Sequence, residues 1–81
     1  MEPEERLLKR VVLDPKVMLG KPVIRGTRLP VELILKLLAQ GMSLAEISRD
    51  YPQLTRKDIA AALLYGSRIV GREEVQPVLA E

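Results

Sequence analysis

Residues 42–66 read MSLAEISRDYPQLTRKDIAAALLYG, and two repeated signatures inside them decide the fold. Ser43 stands three positions before Glu46, and Thr55 stands three positions before Asp58. Each pair reads as a capping box, in which a hydroxyl and a carboxylate bond the backbone N–H groups that a helix start leaves without partners. Apolar residues fill the flanking staple positions, Met42 with Ile47 and Leu54 with Ile59. Pro52 disfavours helical geometry at the residue before it, so the first helix is expected over 44–51 and the second over 56–70. A short capped helix, a tight turn and a longer capped helix make a helix-turn-helix pattern.

Upstream, Pro30 suits a first helical position and Gly41 a residue just past a helix end, which predicts a helix over 30–40. Glu32, Lys36 and Gln40 recur every four residues and form one polar stripe, with Glu32 and Lys36 spaced as an ion pair. The rest of that helix is apolar, more than a small chain can cover, so Leu35 and Leu38 are expected to meet a second subunit. Before it lies GKPVIRGTRLP, residues 20–30. Gly20 and Gly26 supply backbone freedom, Pro22 and Pro30 stiffen the two ends, and Thr27 is placed to cap backbone donors. The stretch reads as a fixed corner. It lacks the Walker spacing of a nucleotide-binding loop. Short strands are expected at 9–13 and 23–24, on either side of an Asp14-Pro15 turn. Residues 1–8 read as a flexible start and 72–81 as a tail, which leaves one domain over 9–71. The fold class is therefore mainly α: a three-helix bundle carrying the helix-turn-helix, with a short N-terminal β element.

Composition narrows the function. The 81 residues contain no cysteine and no histidine, so disulfides, thiolate metal sites and the commonest general base are all missing. The acidic residues Asp14, Glu32, Glu46, Asp50 and Asp58 form no close carboxylate pair by spacing, and three of them already have structural readings. No enzyme, metal or cofactor is expected. The two aromatic residues, Tyr51 and Tyr65, are too few for a base-stacking platform of the single-strand binders. No apolar run reaches the roughly 20 residues of a membrane span, and the acidic start has no apolar signal core, so a cytoplasmic protein is expected. Residues 1–29 hold seven Lys or Arg against four Asp or Glu, and a second basic excess falls in the last helix.

If Ile59, Leu63, Gly66 and Val70 face inward, the last helix turns Arg56, Lys57, Ala60, Ala61, Leu64, Ser67 and Arg68 outward. Arg56, Lys57 and Arg68 then become candidate contacts to the phosphates or base edges of double-stranded DNA. Lys21, Arg25 and Arg28 carry two readings. Arg25 and Arg28 either pair with Asp14, Asp50 or a helix C-terminus, or join Lys21 as phosphate contacts beside the helix pair. Leu64, together with Val75, Val78 and Leu79 of the tail, is the candidate apolar contact for a partner protein. The competing reading is a helical scaffold for protein–protein contact with no DNA role.

Residues 13–65 resemble the domain-of-unknown-function 433 family. The resemblance rests on Asp14-Pro15, Gly20-Lys21-Pro22, Ile24, Gly26-Thr27-Arg28, Gly41, Tyr51-Pro52 and Leu54-Thr55. It implies a homeodomain-like helical fold with a small β element. It further implies a VapB-like antitoxin that is dimeric, binds DNA to autoregulate its operon, and neutralises a PIN-like ribonuclease toxin encoded beside it.

Overall fold

The computed structural model describes residues 2–72. Four α-helices and a two-stranded antiparallel sheet follow one another: α1 Glu4–Leu8, β1 Val11–Leu13, β2 Pro22–Ile24, α2 Val31–Ala39, α3 Leu44–Asp50 and α4 Arg56–Arg72. The chain is mainly helical, as expected. The first eight residues differ from expectation, because they contain α1 rather than a flexible start. Pro3 precedes α1 and its carbonyl accepts the N–H groups of Arg6 and Leu7, while Glu4 and Glu5 sit where the helix dipole favours acids. Five residues cannot hold a helix alone. Packing on α4 holds this one.

β1 starts two residues later than the expected 9–13 and β2 starts one residue earlier than the expected 23–24, and they pair Val11 with Ile24, Val12 with Val23 and Leu13 with Pro22. Between them Asp14 Oδ1 accepts the Lys16 N–H at 2.9 Å, a side-chain-closed turn. The chain then passes through Met18 and Leu19 at φ 50 and 56 before Gly20 at 81. Two successive side-chain-bearing residues in the left-handed region are uncommon, and Leu19 is 95% exposed there.

The corner after β2 is closed as the sequence suggested. Gly26 adopts φ 81. Thr27 Oγ1 donates to the Ile24 carbonyl at 2.7 Å and accepts the Leu29 N–H at 3.0 Å, while the Ile24 N–H reaches the Leu29 carbonyl. The chain thus doubles back tightly enough for Val23 to bridge Pro30. Pro30 itself stays extended, with ψ 148, so α2 begins one residue later than expected.

Gly41 at φ 93 ends α2 in a paired closure, with the Met42 N–H on the Leu37 carbonyl and the Gly41 N–H on that of Leu38. Ile24, Val31, Ile34, Ile47, Leu54, Ile59 and Ala62 form the core where α2, α3 and α4 meet over the sheet. Leu35 and Leu38, expected at a subunit contact, pack against this core in their own chain and are half-buried. Among the described residues, the large apolar side chains left exposed lie on α4, at the end of β1 and in the β1–β2 connection, and none is on α2.

Candidate functional site

Both capping boxes form. Ser43 Oγ accepts the Glu46 N–H at 3.1 Å and Glu46 Oε1 accepts the Ser43 N–H at 2.9 Å. The Ser43 N–H, then its side chain, holds the Glu46 carboxyl below the usual carboxylate range. Thr55 Oγ1 and Asp58 repeat the exchange at the start of α4, at 3.1 and 2.9 Å. Asp58 does one thing more. Its Oδ1 accepts Arg10 Nη1 at 3.1 Å, which ties the residue before β1 to the first turn of α4. Asp58 is only 7% exposed, so the guanidinium neutralises a carboxylate that burial would otherwise penalise.

The faces of α4 differ from the expected ones. Ile59 and Gly66 point inward as expected, and a Cβ built on Gly66 would lie 3.1 Å from Leu35 Cδ1. Leu63 and Val70, expected inside, are 48% and 68% exposed. Ala61, expected outside, is fully buried, and Leu64 is half-buried rather than an exposed anchor. The physical reason is α1. It packs on α4 beside α2 and shifts the covered arc of the helix toward the 57–61–64–68 side.

The cations expected to meet phosphate are mostly engaged within the chain. Lys57 Nζ lies 3.0 Å from Glu2 Oε1. Arg68 Nη2 lies 2.7 Å from Glu4 Oε1 and 3.4 Å from Glu5 Oε1. Lys21 Nζ reaches Glu32 Oε1 at 2.7 Å, so the bonded partner of Glu32 is Lys21 rather than Lys36. Arg25 Nε donates to the Lys9 carbonyl at 2.9 Å, not to Asp14 or Asp50. These contacts shift titrations in the direction ion pairing dictates. The Lys57 hydrogen bond lowers the Glu2 carboxyl, the Lys21 hydrogen bond lowers that of Glu32, and Glu4 raises Arg68 further. Arg56 and Arg28 are exposed and make no ion pair among the described residues.

Two shallow apolar grooves flank α4. One runs between α3 and α4, with Leu44, Ile59, Ala60 and Leu63 in its floor and Arg56 and Lys57 at its rim. The other runs between α2 and α4 over Leu35, Tyr65, Gly66, Ile69 and Val70. Val75, Val78 and Leu79, expected at a partner contact, lie outside the described residues. Sequence reasoning missed Arg10, Glu2, Glu4 and Glu5 and placed Leu63 inside. The signal for the glutamates lies in acids on both sides of Pro3 and a basic excess in the last helix, which are charges of opposite sign.

Comparison with known proteins gives the lineage. The chain is 64% identical over 25 residues to an Archaeoglobus fulgidus protein described as uncharacterized, covering 31% of this chain and 69% of that one. Its fold matches the 2.00 Å crystal structure of a DUF433 member from Anabaena variabilis, with TM-score 0.73 and 31% identity over 84% of this chain and 67% of that one. The family model described as "Protein of unknown function (DUF433)" matches residues 11–66, a span from β1 to the middle of α4, and the chain belongs to that family.

Proposed function

We propose that the protein is a small antitoxin of the helix-turn-helix kind. In this reading α2, α3 and α4 are a homeodomain-like trio, and a dimer holds double-stranded DNA with the first turns of α4 from each copy. The apolar surface on α4 neutralises a PIN-like ribonuclease. The observation that carries the reading is the α3–turn–α4 unit. Two helices with the same reciprocal cap are joined through residues 51–55 and seated on α2, and Arg56 stands exposed without an ion-pair partner among the described residues. Ala60 follows one turn later on the same side, small enough to approach a thymine methyl.

The test is co-purification of the tagged protein with the product of the neighbouring gene, followed by a shift assay on the upstream DNA at two salt concentrations. A stable complex and a shift that weakens steeply with salt are expected, because each phosphate contact releases counterions. Replacing Arg56 and Lys57 together by Ala is expected to weaken the shift by roughly tenfold at low salt. A double variant that shifts DNA as well as the parent rejects the site.

A second reading keeps the partner protein and drops the DNA. It is favoured by one observation: Lys21, Lys57 and Arg68 are already paired with carboxylates, while Leu63, Ile69 and Val70 are open to a protein surface. A complex that forms without any DNA shift selects it.

A further inference from the structure

Lys57 and Arg68 are eleven positions apart, about three helical turns, so they lie within roughly 20° of one face and about 16 Å apart along the axis. Between them the same face carries Ala61, buried, and Leu64, half-buried, with α1 packed alongside. The carboxylates that meet the two cations all come from the N-terminal segment: Glu2 on Lys57, and Glu4 and Glu5 on Arg68. None of the residues of α1 is itself buried. Arg68 and its partners Glu4 and Glu5 keep 43%, 64% and 82% of their side-chain surface in solvent, so those pairs are screened and weak, while the Lys57 pair is open on the lysine side and 11% exposed at Glu2. Arg10, bonded to Asp58 just after α1, holds the chain to α4 if α1 itself lifts away.

A row of carboxylates on two cations of one helix face has the chemistry of a row of phosphates. We propose that α1 is a displaceable acidic strap. It occupies the Lys57–Arg68 face of α4 in place of duplex DNA phosphates, and the duplex engages that face only when α1 lifts. The inference rests on the DNA-binding reading above. Under it, the intact protein binds DNA through Arg56 and the start of α4 first. Lys57 and Arg68 join as the strap exchanges its carboxylate contacts for phosphate contacts.

The experiment compares duplex DNA binding by the full chain, by Glu4→Gln/Glu5→Gln, and by Asp14→Asn/Asp50→Asn. The last pair raises the net charge equally without touching the strap. At low salt the strap variant is expected to bind roughly tenfold more tightly than the parent and clearly more tightly than the charge control. Its salt slope should steepen by about 0.9, the increment of one added phosphate contact. In the parent, the α1 amides of Arg6 and Leu7, bonded to the Pro3 carbonyl, should exchange faster with solvent once duplex is added. If the parent binds DNA but the strap variant gains no more than the charge control, or α1 stays protected in the complex, the strap is overturned and the DNA reading stands. If no form binds duplex at any salt, the DNA reading is overturned and the strap with it.

Discussion

The start of α4 and its α1-covered flank sit on one helix yet are built by opposite means. The start is made by neighbours in sequence: Thr55 and Asp58 exchange bonds over three positions, backed by buried Leu54 and Ile59. The flank is made by residues from the other end of the chain, with Glu4 reaching Arg68 across 64 positions. The first is half in the core, so its bonds form under low solvent exposure. The second is at the surface, where water competes for the same charges. The comparison teaches which contacts hold the fold and which are free to be exchanged. Structure should fail when the capped start is broken and survive when the flank is stripped.

The largest effect is expected from the core on which the capped start rests. Ile47→Ala should cost about 2–5 kcal/mol, because the side chain is fully buried and its loss removes packed apolar contacts from the core. A domain of this length has roughly 4–12 kcal/mol in total, so a thermal melt should fall steeply or the variant should unfold. Leu63→Ala, on the open groove between α3 and α4, should stay within about 0.5 kcal/mol. Equal losses at both positions would erase the distinction between the faces.

Asp58→Ala comes next. It removes the cap on Thr55 and leaves Arg10 without its partner, at a cost of about 2–4 kcal/mol by urea unfolding. Arg10→Ala should cost somewhat less, about 1.5–3 kcal/mol, since the cap survives while a buried carboxylate loses its counter-charge. Ser43→Ala, which breaks only the α3 box, should cost about 1 kcal/mol. Against these, Glu4→Gln/Glu5→Gln should leave the midpoint of the melt unchanged. A large drop would make the flank structural and contradict the contrast.

What the sequence made legible follows the same division. Caps, the Pro52 stop, the Gly41 ending and the closure of the 20–30 corner are signals within a few residues, and each appears in the structure. The expected inward set of α4 placed Leu63 and Val70 inside, and both are exposed. Periodicity identifies an apolar arc only when one neighbour covers the helix. Here a second neighbour, α1, was hidden in a segment too short and too charged to read as structure. The partners of Lys21, Arg25, Lys57 and Arg68 are set by packing over long separations, which no local pattern encodes.

Acid titration sharpens the comparison further. Glu2, Glu32 and Glu46 all have lowered carboxyl values, held down respectively by Lys57, Lys21 and the Ser43 backbone. A carboxyl that binds protons less readily when folded adds stability that is complete above its unfolded value, about 4.3, and is lost as the pH falls through its folded value. Melting temperature should therefore hold level from pH 7 to about 5 and fall below about 4. Glu46→Gln should flatten that fall, since it removes one of the three linked protons. The same substitution at Glu2 should also free Lys57, so under the proposed DNA-binding role its acid profile and its affinity for duplex should move together, while Glu46→Gln should move only the first.

A small effect is also expected at Gly66, where two opposing contributions nearly cancel. Alanine in a helix interior gains about 0.8–1 kcal/mol over glycine from backbone entropy alone. Against this, the new Cβ would stand 3.1 Å from Leu35 Cδ1, tighter than an ordinary contact. Leu35 is half-buried beside an open groove, so its side-chain tip can rotate away without moving the α2 backbone. Gly66→Ala should therefore change stability by less than about 1 kcal/mol in urea unfolding. A loss well beyond that would mean that Leu35 cannot move, so that the α2–α4 contact is as fixed as the core. The groove over Tyr65 and Ile69 would then be a rigid surface rather than one that a partner can remodel.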